Sequence, residues 1–83
     1  MTILEAKEKF PEMVFFDGLD DAFVGICRIP GEDYVACYSY LKIKRLMVRD
    51  GMADEDADEY IEYNILGAYV GSGTPLVIEG LEE

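Results

Sequence analysis

The sequence predicts a small α+β domain, in which a mostly antiparallel sheet is covered on one face by a pair of helices. Two segments rich in β-branched and aromatic residues, 22–29 and 34–39, flank a Pro-Gly-Glu-Asp turn, which is typical of a central β-hairpin. The segments that follow, 39–49 and 54–68, carry apolar residues at helical spacing. Because the chain has 83 residues, of which 51% are hydrophobic, we expect residues 1–83 to form a single domain with a small core.

The region before the hairpin is predicted to contain a short helix and a strand. The helix covers residues 3–10 and ends before Pro11, because proline disfavours helical backbone in the residue that precedes it. The apolar run 13–16 is followed by an Asp-Gly turn and is predicted to be a strand. Gly25, inside the first strand of the hairpin, indicates a β-bulge or the close approach of another side chain.

The two segments after the hairpin are predicted to form an αα-hairpin. Ser39 is the expected N-cap of the first helix, and Gly51 lies just beyond its expected end at about Arg49. We expect Asp54 to cap the second helix, because Ala53 has no side-chain acceptor. A short final strand at 76–79 completes the predicted order α-β-β-β-α-α-β.

The second predicted helix has an apolar side and an acidic side. The apolar side consists of Ala57, Tyr60, Ile61, Asn64, Ile65 and Ala68. We expect Asn64 to be buried there as a structural polar residue, bonded to backbone groups of the 67–74 loop or of a neighbouring strand, since an unsatisfied buried amide costs about 1–3 kcal/mol. The opposite side is the candidate interaction face, and it consists of Asp54, Glu55, Asp58, Glu59 and Glu62.

The net charge of −11 is concentrated in one part of the chain. Residues 1–49 contain eight acids and seven bases, whereas residues 50–83 contain ten acids and no base. A block of one sign attracts cationic surfaces and repels nucleic acids and anionic membranes. The charge pattern therefore favours a protein partner with a basic surface over direct binding to nucleic acid or membrane.

The chain shows no pattern typical of an enzyme, a cofactor site or a metal site. It contains no histidine, and no serine lies on a nucleophile elbow. The acids at 54, 56 and 58 resemble the start of a calcium loop, but Glu59 and Ile65 stand where that loop needs glycine and glutamate. The glycine-rich stretch 71–74 is not followed by the lysine of a phosphate-binding loop. We therefore expect a non-enzymatic protein without a cofactor.

The N-terminus and the two cysteines predict an intracellular environment. The N-terminus lacks the layout of a signal peptide, and no apolar run approaches the roughly 18 residues of a membrane span, so we expect a cytoplasmic protein. Without a secretory signal, Cys27 and Cys37 are expected to be reduced. Whether they lie opposite each other depends on the length of the hairpin loop.

Residues 50–75, DGMADEDADEYIEYNILGAYVGSGTP, show a resemblance to a known family. The segment resembles small uncharacterised acidic proteins of bacteriophages and prophages that share a pattern close to D-G-M-(S/T)-E-E-E-A-x-E-Y-(F/I)-x-x-N-x-x-G-A-(Y/W)-x-G-x-x-T-P. Residues 19–26 also resemble the first strand region of that family, and Ala53 departs from the usual serine or threonine. The resemblance implies a phage or prophage origin and a prokaryotic host cell, but no activity.

The acidic face has three interpretations. In the first, the protein is an interaction module that binds a basic site on a host or phage protein. In the second, it is an inhibitor that mimics DNA, because Asp54, Asp58 and Glu62 follow each other on a helix at a pitch of about 6 Å. In the third, the protein is a structural homo-oligomer, and the acids serve solubility and complement the positive end of the helix.

Overall fold

The computed structural model describes residues 1–68, 71 and 73–80, and it confirms the α+β class. The described residues form three helices and three strands: α1 (Ile3–Lys9), β1 (Phe23–Cys27), β2 (Val35–Ser39), α2 (Tyr40–Arg49), α3 (Asp54–Tyr60) and β3 (Leu76–Ile78). A short 3-10 turn, Asp20–Ala22, precedes β1. Helix α3 continues without a break into a π-helical segment, Ile61–Ile65, and a 3-10 turn, Leu66–Ala68.

Side-chain acceptors cap the first two helices. In α1, the Thr2 hydroxyl accepts the backbone N–H of Glu5 at 3.2 Å, and the Glu5 carboxylate accepts the backbone N–H of Thr2 at 2.7 Å, which forms a capping box. In α2, the Ser39 hydroxyl accepts the backbone N–H of Lys42 at 3.2 Å. Gly51 follows the end of α2 with a φ of 111°, a conformation that favours glycine. The predicted start of α1 and both predicted bounds of α2 are confirmed, and α1 ends at Lys9, one residue before the predicted end.

The predicted strand at 13–16 is wrong. These residues pair with no strand in the described part of the chain; Met13, Phe15 and Phe16 pack against the core instead, and Val14 is exposed. The backbone N–H of Phe16 donates to the Tyr38 hydroxyl at 3.0 Å, and the two ring centroids are 4.9 Å apart. A short apolar run signals burial without specifying how its backbone is satisfied, and here a side-chain hydroxyl replaces a strand partner.

The sheet has the order β1-β2-β3, with β2 in the centre. Strands β1 and β2 are antiparallel, and a register shift between Phe23 and Gly25 confirms the bulge that Gly25 indicates. Strand β3 runs parallel to β2, with Leu76 beside Cys37. The sheet is therefore mixed, with one antiparallel and one parallel pair, because the chain crosses back through the helices before β3 begins beside the middle of β2.

Both cysteines are free thiols on neighbouring strands. Cys27 lies opposite Val35, and Cys37 lies opposite Gly25, so the two cysteines are offset by two positions rather than directly opposed. Burial, followed by the nearby Cys27, raises the pKa of the Cys37 thiol. The Cys37 thiol is therefore protonated and weakly nucleophilic at neutral pH.

The hydrophobic core lies between one face of the sheet and the helix pair, as predicted. Its buried members come from the turn before β1, from β2, from α2 and from the π-helical segment: Leu19, Ala22, Ala36, Tyr38, Tyr40, Ile43, Ile61 and Ile65. All five residues of β2 are buried, as expected for a central strand. None of the helices in the described part of the chain is long and apolar enough to span a membrane.

Candidate interaction face

The acidic face begins in the first turn of α3. The N-cap is Ala53, which has extended backbone and no side-chain hydrogen bond, so the prediction that Asp54 caps the helix is wrong. Asp54 already has helical backbone and lies, with Glu55 and Asp56, inside the first turn. Three carboxylates at this position complement the positive end of the helix, each contributing about 0.3–1 kcal/mol at low ionic strength. Charge therefore takes the place of a capping side chain.

Asp58 connects α3 to α2. Its Oδ1 accepts a hydrogen bond from the Tyr40 hydroxyl at 2.8 Å, and its Oδ2 pairs with the Lys44 ammonium at 3.1 Å. Tyr40 and Lys44 are four residues apart, so they present their donors on the same side of α2. Among the contacts of the described residues, Asp58 is therefore the predicted face residue that bonds within the molecule.

The contacts of Asp58 change the pKa values of three groups. The hydrogen bond from Tyr40, followed by that from Lys44, lowers the pKa of Asp58. The same hydrogen bond, followed by burial, raises the pKa of Tyr40 to about 12, with smaller contributions from the charges of Asp58, Glu79 and Glu62. The hydrogen bond to Asp58 also raises the pKa of Lys44. All three groups therefore keep the protonation states that hold α2 and α3 together.

We expect replacement of Asp58 by asparagine to remove a stabilisation that is present at neutral pH and absent in acid. Because the pKa of Asp58 is lower in the folded protein than in the unfolded chain, its contribution is complete above the ordinary carboxyl pKa of about 4 and disappears as the pH falls through the lowered value. The difference between the urea midpoints of wild type and Asp58→Asn should therefore be smaller at about pH 3 than at about pH 7.

The matched control for this experiment is Asp56→Asn. Asp56 is an exposed carboxylate on the same helix, and no hydrogen bond or ion pair involves it within the described residues. We expect its midpoint to follow the wild type at both pH values more closely than that of Asp58→Asn. If the difference between the urea midpoints of wild type and Asp58→Asn were the same at both pH values, the ionic role of Asp58 would be contradicted.

The remaining acids of the predicted face are exposed. Glu55, Glu59 and Glu62 make no hydrogen bond and no ion pair in the part of the chain that the structure describes. Asp54 is also exposed, and it lines a groove beside Lys44 and the C-terminal half of α2. DNA mimicry requires a row of free carboxylates at Asp54, Asp58 and Glu62, and the carboxylate of Asp58 is already bonded to Tyr40 and Lys44.

Asn64 is exposed, so the prediction that it is a buried structural residue is wrong. The reason is the π-helical segment, which contains more residues per turn than an α-helix and rotates each residue through a smaller angle. Ala57, Ile61 and Ile65, spaced by four, consequently stay on the core side and are buried. Tyr60 and Ala68, which the α-helical spacing also placed on that side, are exposed as well.

A large exposed aromatic residue accompanies the acids, and α-helical spacing did not single it out. Tyr63 is 79% exposed, and it lies about one helical turn from Glu59 and next to Glu62. Tyr60 and Leu66 flank it with exposures of 40% and 41%. In the sequence, Tyr63 belongs to neither the apolar nor the acidic side of the second helix, and a large aromatic residue outside the apolar side could have indicated an exposed contact residue. We call Glu55, Glu59, Glu62 and Tyr63 the outer face.

Comparison of the chain with protein-family models, with curated proteins and with solved structures finds no significant match. The resemblance of residues 50–75 to phage proteins therefore stays a prediction. Among the described residues, no group of three or more acidic or cysteine side chains is arranged to hold a metal ion.

Proposed function

We propose that this protein is a non-enzymatic interaction module whose outer face binds a basic surface of a host or phage protein in a prokaryotic cytoplasm. The observation that carries the proposal is the exposure of Tyr63, Glu59 and Glu62 within about one helical turn, the two carboxylates having no partner among the described residues. Carboxylates attract lysine and arginine over a distance, and a tyrosine ring provides both apolar contact and a cation–π site. The combination suits a cationic protein surface.

Tyr63 favours this function over a purely solvating acidic face. Solvation requires only charge, whereas tyrosine and arginine are among the residues that contribute most to the binding energy of protein interfaces. DNA mimicry is less well supported, because it needs Asp58 in the row, and Asp58 is bonded to Tyr40 and Lys44. We therefore expect long-range charge attraction to set the rate of association and the tyrosine to slow dissociation.

The test compares capture of bacterial proteins by tagged wild type and by Glu59→Lys with Glu62→Lys. We expect wild type to retain a basic protein at low salt, and the double variant to bind that protein at least about tenfold more weakly, because two attractive charges become repulsive. Tyr63→Ala should also bind about tenfold more weakly, mainly through faster dissociation. Titration of the identified partner measures each constant.

The matched control is Glu8→Lys with Asp21→Lys. It changes the net charge by the same amount at exposed positions outside the outer face, and we expect it to bind like wild type. Retention that survives the Glu59→Lys, Glu62→Lys change would refute the proposal. Sedimentation of the wild type alone distinguishes the homo-oligomer alternative, since an oligomer that the same double variant dissociates would show that the outer face binds a second copy.

A further inference from the structure

A second feature suited to binding is a groove between the end of α1 and the loop that joins β1 to β2. It has a volume of about 680 Å³, within the usual size range of ligand sites. Its apolar lining consists of Phe10, Pro11, Met13, Val14 and Tyr34. The groove is built from parts of the chain that contribute nothing to the outer face.

Two aromatic rings form a fixed part of the groove wall. The rings of Phe10 and Tyr34 meet edge to face, with centroids 6.0 Å apart. The Arg28 guanidinium lies 4.6 Å from the centroid of the Tyr34 ring, and its Nη1 donates to the Tyr34 hydroxyl at 2.8 Å. Because no described residue accepts a hydrogen bond from Tyr34, its O–H remains able to donate to a ligand.

The charged residues of the groove are predominantly acidic. Glu12, Glu32 and Asp33 line it and are exposed. Lys9 is the basic residue of the lining, and its ammonium lies 6.0 Å from the centroid of the Phe10 ring. Even with the Arg28 guanidinium beside Tyr34 counted, three carboxylates exceed the two cations, which favours a cationic ligand.

We propose that this groove binds an extended, proline-rich segment of a partner protein that carries arginine. Proline-rich chains adopt the polyproline II conformation, whose carbonyl groups have no internal partner and whose rings pack in aromatic grooves. The Tyr34 hydroxyl supplies a donor for one carbonyl, and the Glu32 and Asp33 carboxylates supply acceptors for an arginine side chain. The proposal is independent of the outer face, since it rests on different residues.

The probe for this site is a fluorescently labelled polyproline peptide with an arginine near each end. We expect saturable binding to wild type, measured by anisotropy at physiological salt. Glu32→Lys with Asp33→Lys should weaken binding at least about tenfold, because both side chains are exposed on a loop and their reversal repels arginine. Tyr34→Phe, which keeps the ring and removes the donor, should weaken binding about threefold to tenfold.

Two controls separate this site from the outer face and from general charge attraction. Glu59→Lys with Glu62→Lys should bind the peptide like wild type, even if that variant has lost its protein partner. A flexible glycine-serine peptide with the same arginines should bind at least about tenfold more weakly, because it offers no proline rings and must lose more conformational freedom. Equal binding of the two peptides, unchanged binding by Glu32→Lys with Asp33→Lys, or no saturable binding to wild type would each overturn the proposal.

Discussion

Replacement of Ile61 by alanine is expected to lower the free energy of unfolding by about 2–5 kcal/mol. Ile61 is completely buried, in the same core cluster as Tyr38 and Ile43. Shortening its side chain removes apolar contacts and leaves a cavity that the surrounding helices and sheet can fill only partly. Since a domain of this length is typically stable by about 4–12 kcal/mol, the loss is a large fraction of the total.

Urea unfolding followed by circular dichroism measures the effect of Ile61→Ala. We expect a lower midpoint with an unchanged slope, which indicates a change in stability rather than in the unfolded chain. Tyr63→Ala is the matched control, because it changes the same π-helical segment at a position that is 79% exposed, and its cost should stay within about 0.5 kcal/mol. Similar losses for the two variants would contradict the assignment of Ile61 to the core and Tyr63 to the surface.

Replacement of Tyr38 by alanine is expected to abolish cooperative folding. Tyr38 is completely buried, and its ring centroid lies 4.9 Å from that of Phe16 and 5.8 Å from that of Phe23. Removing a buried aromatic side chain costs about 3–5 kcal/mol. The change also removes the acceptor of the Phe16 N–H, which adds about 1–3 kcal/mol if that donor stays buried. The combined loss approaches the whole stability of the domain.

Tyr38→Phe separates the two contributions at this position. It keeps the ring and removes only the hydroxyl that accepts the Phe16 N–H, so we expect a folded protein that is less stable by about 1–3 kcal/mol. Thermal and urea unfolding of both variants tests the division. If Tyr38→Ala were as stable as Tyr38→Phe, the ring would contribute nothing to the core, and the central place of Tyr38 in it would be wrong.

The elements that the sequence predicted correctly are those decided by nearby residues. Pro11 ends α1, Ser39 caps α2, and Gly51 follows the end of α2, each through a contact or a backbone restriction within a few positions. The hairpin is similarly specified by the turn between its strands, and Gly25 marked its bulge. Local chemistry is sufficient for features of this kind.

The features that the sequence did not predict depend on residues that are distant along the chain. The backbone of Phe16 is satisfied by Tyr38, which excludes the strand expected at 13–16. The parallel pairing of β3 depends on where the helices return the chain. For the second helix, the π-helical segment changes which residues face the core, so Asn64 is exposed rather than buried. An α-helical wheel assumes a constant rotation per residue and cannot show this change.

On the candidate interaction face, too, features set by nearby residues were predicted and a feature set by a distant residue was not. The exposure of Glu55, Glu59 and Glu62 was predicted from helical spacing and is confirmed. The attraction between a basic α2 and an acidic α3 was also predictable from charge. Charge alone did not predict that Asp58 makes the contact between the two helices, because this contact also depends on the Tyr40 hydroxyl, a neutral donor on α2.

We expect the parallel pairing of β3 with β2 to form after the β1–β2 hairpin. Cys37 and Leu76 are neighbours in the sheet but are separated by nearly half of the chain, whereas β1 and β2 are joined by a short loop. Contacts between distant residues form later than local ones, so β2 remains an edge strand until the helices have brought β3 to it. An uncovered edge offers backbone donors and acceptors to other chains. In the completed sheet the three residues of β3 cover this edge of β2, so we expect aggregation to compete mainly before β3 has docked.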